Sequence, residues 1–133
     1  MLVLGTVLAM LTLGGVHANA SGSRPCGLGG NRAQNKRLIS CLSHQTGIRV
    51  SRAEALKVAN CESGFFAHAD SGKYRGLFQL LGSEFDVFPH QAGGHWVQAE
   101  FRKYHYGIFS ARGNTLAALA HASHYGWSAW SCA

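Results

Sequence analysis

Four cysteines constrain this chain more than any other feature. Cys26, Cys41, Cys61 and Cys132 are spread through 133 residues, with no C-x-x-C pair among them. The spacing therefore lacks the ligand pattern of a zinc site. An even count in a short chain that opens on an export-type segment reads as two disulfides. Three pairings are possible. Cys26 with Cys41 and Cys61 with Cys132 is favoured, because the first staples a Gly-rich N-terminal segment and the second ties the chain end to its middle. In the loop-entropy account they contribute roughly 3 and 4 kcal/mol.

The export reading rests on Met1 to Val16, which carries Leu2, Val3, Leu4, Val7, Leu8, Leu11 and Leu13 and no charge. Ala18-Asn19-Ala20 follows as a small-x-small cleavage pattern. Residues 1–20 are expected to be a signal peptide, and residues 21–133 one disulfide-stapled domain in the extracellular space or the cell wall. No Lys or Arg precedes the apolar run, a departure from the usual signal. Thr6, Thr12 and glycines interrupt the run, which is shorter than the ~18–20 residues of a spanning helix, so no stable membrane anchor is expected.

Twelve Lys and Arg against six Asp and Glu give a formal charge of +6, all of it after residue 20. That balance favours an anionic partner: a wall, a membrane surface or a nucleic acid. Arg24, Arg32, Lys36, Arg37, Arg49, Arg52 and Lys57 concentrate in the N-terminal third. They lack interleaved aromatics, a recognition helix or an RNA-binding signature, so nucleic acid is not expected. A solvated face or attraction to anionic wall polymers is the preferred use.

Local patterns predict a mainly α (α+β) chain. A helix is expected over Asn31–Gln45, capped by Asn31 and stopped by Gly47. A second should start at Ser51, where Ser51-Arg52-Ala53-Glu54 has capping-box spacing, and run to about Glu62. Phe65 to Phe78 shows no helical period and reads as a loop or short hairpin around Ser71-Gly72-Lys73. A short helix after Ser83, one over His95 to Tyr104, and one from an Asn114 cap to Gly126 complete the chain.

Glu62 is the conspicuous residue. Ala55, Val58, Ala59 and Glu62 stand at i, i+3, i+4 and i+7, which sets a carboxylate in line with the apolar stripe. Gly64 ends the helix just beyond, so Glu62 also sits at the negative end of the helix dipole. Both effects disfavour the charged form and raise its pKa. A carboxylic acid kept protonated in an apolar site is what glycosidic cleavage needs as a proton donor. The plain alternative is a structural carboxylate paired with Arg75 or Lys73.

Cys61-Glu62-Ser63-Gly64-Phe65, then Ala69-Asp70-Ser71-Gly72, then Gly76-Leu77-Phe78-Gln79, resembles in order and spacing the catalytic signature of the lytic transglycosylase superfamily. Ala117 to Trp130, with His124-Tyr125-Gly126-Trp127, looks like the closing helix and Trp pair of small actinobacterial lysozyme-like proteins. Residues 80–113 carry no matching motif. The resemblance implies a lysozyme-like fold, with a sugar cleft between a helical lobe and a small β or loop lobe. It implies cleavage of peptidoglycan glycan strands at the MurNAc-GlcNAc β-1,4 bond by one Glu, without a cofactor or metal; a monomer is expected as the default for a chain of this size. By that carry-over Glu62 is the acid and base. Ser71 and Gln79 contact substrate, Ser63 orients the site or touches substrate, and Tyr125 is the weaker candidate because the family's Tyr-Asn context is Tyr-Gly here.

A hydrolytic lysozyme would need a second carboxylate, and Asp70, Glu84, Asp86 and Glu100 are the candidates. Asp70 is nearest in sequence, although a loop Asp capping its own turn is the weightier reading of it. Trp96, Trp127 and Trp130 are expected to be packing, with at most one at the cleft. A wall-glycan-binding module without turnover and a cationic antimicrobial protein are the remaining classes. The cost of desolvating Glu62 without catalytic use speaks against the former.

Overall fold

The structure, a computed structural model, describes residues 24–91 and 95–133. The expected signal peptide, residues 1–20, lies outside the described residues. Five α-helices make up most of the rest: α1 (Arg32–Leu42), α2 (Arg52–Ser63), α3 (Gly82–Val87), α4 (His95–Tyr104) and α5 (Ala111–Tyr125), with a single 3-10 turn at Phe88–His90. Among the described residues the protein is mainly helical with almost no strand. The Phe65–Leu81 segment holds only two isolated antiparallel bridges, Asp70 with Arg75 and Arg75 with Leu80. Two disulfides join Cys26 to Cys41 and Cys61 to Cys132, the favoured pairing. No described helix is long and apolar enough to cross a membrane.

The helix α5 is the centre of the molecule. Every residue from Ala111 to Ala120 is buried, as expected of a helix that is apolar nearly all round. It packs against α1, α3, α4 and the 3-10 turn. Its small side chains, Ala117, Ala118, Ala120 and Ala122, let these neighbours approach. Leu116 and Leu119 meet Leu38, Leu42, Val58, Phe78 and Val97 in one core.

The start of α5 corrects the sequence expectation. Ser110, not Asn114, is the N-cap, and its Oγ accepts from the Gly113 N–H at 3.0 Å. Asn114 lies fully buried in the second turn. Its Oδ1 accepts from the Phe78 N–H at 2.8 Å, and its Nδ2 donates to Arg75 O at 3.1 Å and Ile108 O at 3.0 Å. A buried amide with partners this distant in sequence serves as a clamp on the 75–78 segment.

Two further boundaries differ. The first helix ends at Leu42, because Ser43 Oγ donates back to Ile39 O at 2.7 Å and bonds from His44 and Gln45 to Cys41 O and Leu42 O tighten the chain into turns before Gly47. Asn31 does cap it, with the Gln34 side chain completing a reciprocal box. At Ser51 only half of the expected box forms: Ser51 Oγ accepts from the Glu54 N–H at 3.4 Å, while Glu54 stays exposed.

Glu100, one of the candidate second carboxylates, is structural. Its oxygens take Arg112 Nε at 3.0 Å and Nη2 at 3.2 Å, and Arg112 Nη1 donates to Pro25 O and Gly27 O. Both side chains are shielded, at 1% and 9% exposure. This buried pair ties α4 and α5 to the N-terminal segment that the Cys26–Cys41 disulfide also holds.

Candidate active site

A cleft of about 340 Å³ runs past the C-terminal end of α2. It brings together Glu62, Ser71 and Gln79 from the sequence signature with Tyr74, Glu84 and Trp130. Three long-range ties build it.

The first tie is the Cys61–Cys132 disulfide. It fastens the chain end beside the last turn of α2, so that Ala129, Trp130 and Ser131 form part of the cleft lining next to Glu62. Trp130 is buried, donates its Nε1–H to Phe78 O at 2.7 Å, and meets Phe78 and Phe88 edge-on at 6.4 and 6.1 Å. Trp127 stacks on Phe78 at 6.0 Å, and Trp96 lies elsewhere, donating to Thr46 O.

The second tie is Asn114, already described. It demands a glycine at position 76: φ there is +81°, and a Cβ would run into the Asn114 amide and stand 2.7 Å from Ile108 O. The third is Ser63. Its Oγ lies 2.8 Å from Leu77 O and 3.1 Å from Ala59 O, so its hydroxyl links α2 to the Gly76–Gln79 segment. Ser63 is not in the cleft lining, and its hydroxyl makes a positioning contact between α2 and the Gly76–Gln79 segment.

Glu62 is half-buried in the last turn of α2. Gly64 takes the left-handed C-cap conformation at φ +59°, which turns the chain away and leaves the carboxyl facing the cleft. Burial pushes the Glu62 carboxyl above the ordinary Glu range, and the backbone N–H of Cys132 opposes this only in part. The expected alternative pairing does not form: Arg75 Nε lies 3.7 Å from Asp70 Oδ1, and Lys73 Nζ sits 5.4 Å from the Tyr74 ring. No ion pair to Glu62 exists among the described residues.

Gln79 has an unusual backbone, with φ +49°. Its Nε2 donates to Ala69 O at 3.1 Å and Gly76 O at 3.0 Å. Both partners are carbonyls, so the amide orientation is forced and only Oε1 remains for a ligand donor. Ser71 Oγ donates to Tyr74 O at 3.1 Å, which keeps its lone pairs as acceptors. Two signature residues thus present hydrogen-bond acceptors to the cleft, suited to hydroxyl or amide N–H groups.

Asp70 caps its own turn, accepting from the Gly72 N–H at 2.7 Å, and does not line the cleft. Glu84 does. Its Oε2 accepts from the Leu81 N–H at 2.8 Å, which fixes the carboxylate at the start of α3. Asp86 is exposed on that helix. Tyr125 stands at the end of α5 with 55% exposure and outside the cleft lining, edge-on to His124. His121 holds Gln91 Oε1 through Nδ1 and stacks on Phe88 at 3.9 Å; burial pulls its pKa down, with the nearby Glu84 working in the other direction.

Tyr74 and Glu84 are the cleft residues that sequence reasoning missed or ranked low. Tyr74 had a signal: an aromatic in a polar turn is unlikely to be there for packing, and it is 39% exposed. Glu84 had none, because its place depends on how α3 meets α5.

No family model, curated protein or solved structure matches this chain.

Proposed function

We propose that this chain is a secreted peptidoglycan-cleaving enzyme of lysozyme-like fold, acting as a lytic transglycosylase with Glu62 as its acid and base. Protonated Glu62 gives its proton to the leaving oxygen as the bond from MurNAc C1 to that oxygen breaks. The resulting carboxylate then takes the proton of the muramic 6-hydroxyl, whose oxygen bonds to C1 and closes a 1,6-anhydro ring. Water is not consumed, and Glu62 ends protonated for the next cycle. Acceptors at Gln79 and Ser71 would orient the sugar by its hydroxyl and N-acetyl donors. Two disulfides are compatible with export.

The observation that carries this reading is the meeting of Glu62, Ser71 and Gln79 in one cleft, with the Glu62 carboxyl unpaired and pushed upward by burial. One observation favours a second reading, hydrolysis: Glu84 lines the same cleft and can hold a water for attack on C1. Mass spectrometry of muropeptides released from purified peptidoglycan separates the two. Anhydromuramic ends lost in Glu62→Gln support the transglycosylase; reducing ends that take up labelled water and vanish in Glu84→Gln support the hydrolase. If wild type and Glu62→Gln both release nothing from walls of several chemistries, the enzyme reading fails and glycan binding without turnover replaces it.

A further inference from the structure

A second depression of about 560 Å³ lies between α1 and the start of α2, and it shares no lining residue with the cleft. Lys36, Arg37 and His44 come to it from α1 and the turn that follows, and Arg52 from the first turn of α2. All four are exposed, and no carboxylate lines the groove. Neither Arg37 nor Arg52 makes an ion pair with a described residue.

The finer chemistry is that of an anion site. His44 Nδ1 lies 2.8 Å from Ser40 O, a carbonyl, so Nδ1 carries a hydrogen and the ring is held in place at the end of α1, leaving the anion to Lys36, Arg37 and Arg52. Ser40 adds a hydroxyl to the lining. Guanidinium groups at Arg37 and Arg52 offer the planar fork that matches phosphate oxygens. Arg52 is the first residue of α2, where a cation opposes the helix dipole; helix stability does not explain a cation there.

We propose, resting on the wall-directed function above, that this groove binds a linear polyol-phosphate chain, a phosphodiester polymer of the bacterial wall. The lining draws its basic side chains from three places, Lys36 and Arg37 at the middle of α1, His44 in the turn after it and Arg52 at the head of α2, and separated charges suit a chain of phosphates more than a single ion. Its lining contains no Phe, Tyr or Trp, and its one ring is the His44 imidazole, whereas single-stranded nucleic acid is held by successive bases stacked on several aromatics. A polymer without bases needs none. Arg52 and Glu62 are ten residues apart on one helix, about 15 Å, so a chain held here keeps the cleft against the wall without entering it.

The test is titration of the oxidised full chain with poly(glycerol phosphate) at about 50 and about 200 mM salt. A single-stranded oligonucleotide of equal charge is run beside it. Losing two phosphate contacts in Arg37→Gln/Arg52→Gln should weaken polymer binding about tenfold at the lower salt. It should also reduce the slope of log affinity against log salt by about 1.4. Equal binding by wild type and the double variant, or no binding by wild type, overturns the site. Tighter binding of the oligonucleotide with the same dependence on Arg37 and Arg52 overturns the partner. The titration is repeated in Glu62→Gln, and cleavage of polymer-stripped walls by the double variant should match wild type. Failure of the groove is thereby distinguished from failure of the catalytic reading.

Discussion

Replacing Asn114 with Leu, which keeps the branch at Cγ and the number of side-chain heavy atoms, tests whether one buried amide holds the cleft together. The substitution leaves the Phe78 N–H, Arg75 O and Ile108 O without their partner. An unpaired buried group costs about 1–3 kcal/mol. Taking about 2 for the fully buried Phe78 N–H and about 1 for each half-buried carbonyl gives about 4 kcal/mol. With a urea slope of about 1.5 kcal/mol/M the midpoint should fall by about 2.7 M. Tryptophan fluorescence is a suitable readout, since Trp130 is bonded to Phe78 O in the same segment. The neighbouring residue supplies the control: Thr115 is equally buried, but its Oγ1 has no partner among the described residues. Thr115→Val removes an unmet hydroxyl and should be neutral or stabilising by up to about 1 kcal/mol. A loss below about 1 kcal/mol in Asn114→Leu, or similar losses in both variants, would refute the clamp.

Glu100→Gln leaves the Arg112 guanidinium buried without its counter-charge and should cost about 3–5 kcal/mol in denaturant unfolding; a cost under about 1 kcal/mol would mean that water reaches the pair. Because Glu62 binds its proton more tightly when folded, its contribution is complete in acid and is lost as pH rises through its raised folded value. Glu62→Gln should therefore match wild type in acid and exceed it in stability near neutral pH, and a neutral-pH loss would contradict the desolvation argument. Opening the Cys61–Cys132 bridge with Cys61→Ser/Cys132→Ser should cost roughly 4 kcal/mol. A cost under about 1 kcal/mol in denaturant unfolding would show that the chain end stays docked through the Trp130–Phe78 contact without the bridge.

What was legible in the sequence was local. The stripe Ala55, Val58, Ala59 and Glu62 lies on one helix, and periodicity alone sets the carboxylate against the core side. Asn31, Gly64 and the α4 boundaries depend on neighbours within four residues, and these expectations agree with the structure. Asn114 was misread because a polar residue at the head of an apolar run looks like a cap, while its partner Phe78 is 36 residues away. Glu84 and Glu100 could not be told apart for the same reason: one faces the cleft and the other Arg112, and only packing of α3 and α4 against α5 decides which. Ser63 reads as a site residue from its place in the signature, and its hydroxyl contact with Leu77 O, 14 residues on, could not be read from it.

The direction of the Glu62 shift depends on what the adjacent turn does with its cations. Had Arg75 reached the Glu62 carboxylate, Coulomb attraction would have favoured the charged form and set attraction against burial. Arg75 lies instead beside Asp70, which caps the turn through Gly72, bridges Arg75 through the backbone and stands 3.7 Å from its Nε. Lys73 is drawn to the Tyr74 ring. Glu62 is then left with burial as its dominant influence and the Cys132 N–H as a partial counterweight. Asp70, nearest in sequence of the candidate second carboxylates, thus stands outside the cleft lining as a turn cap beside Arg75, and burial remains the larger influence on the Glu62 carboxyl.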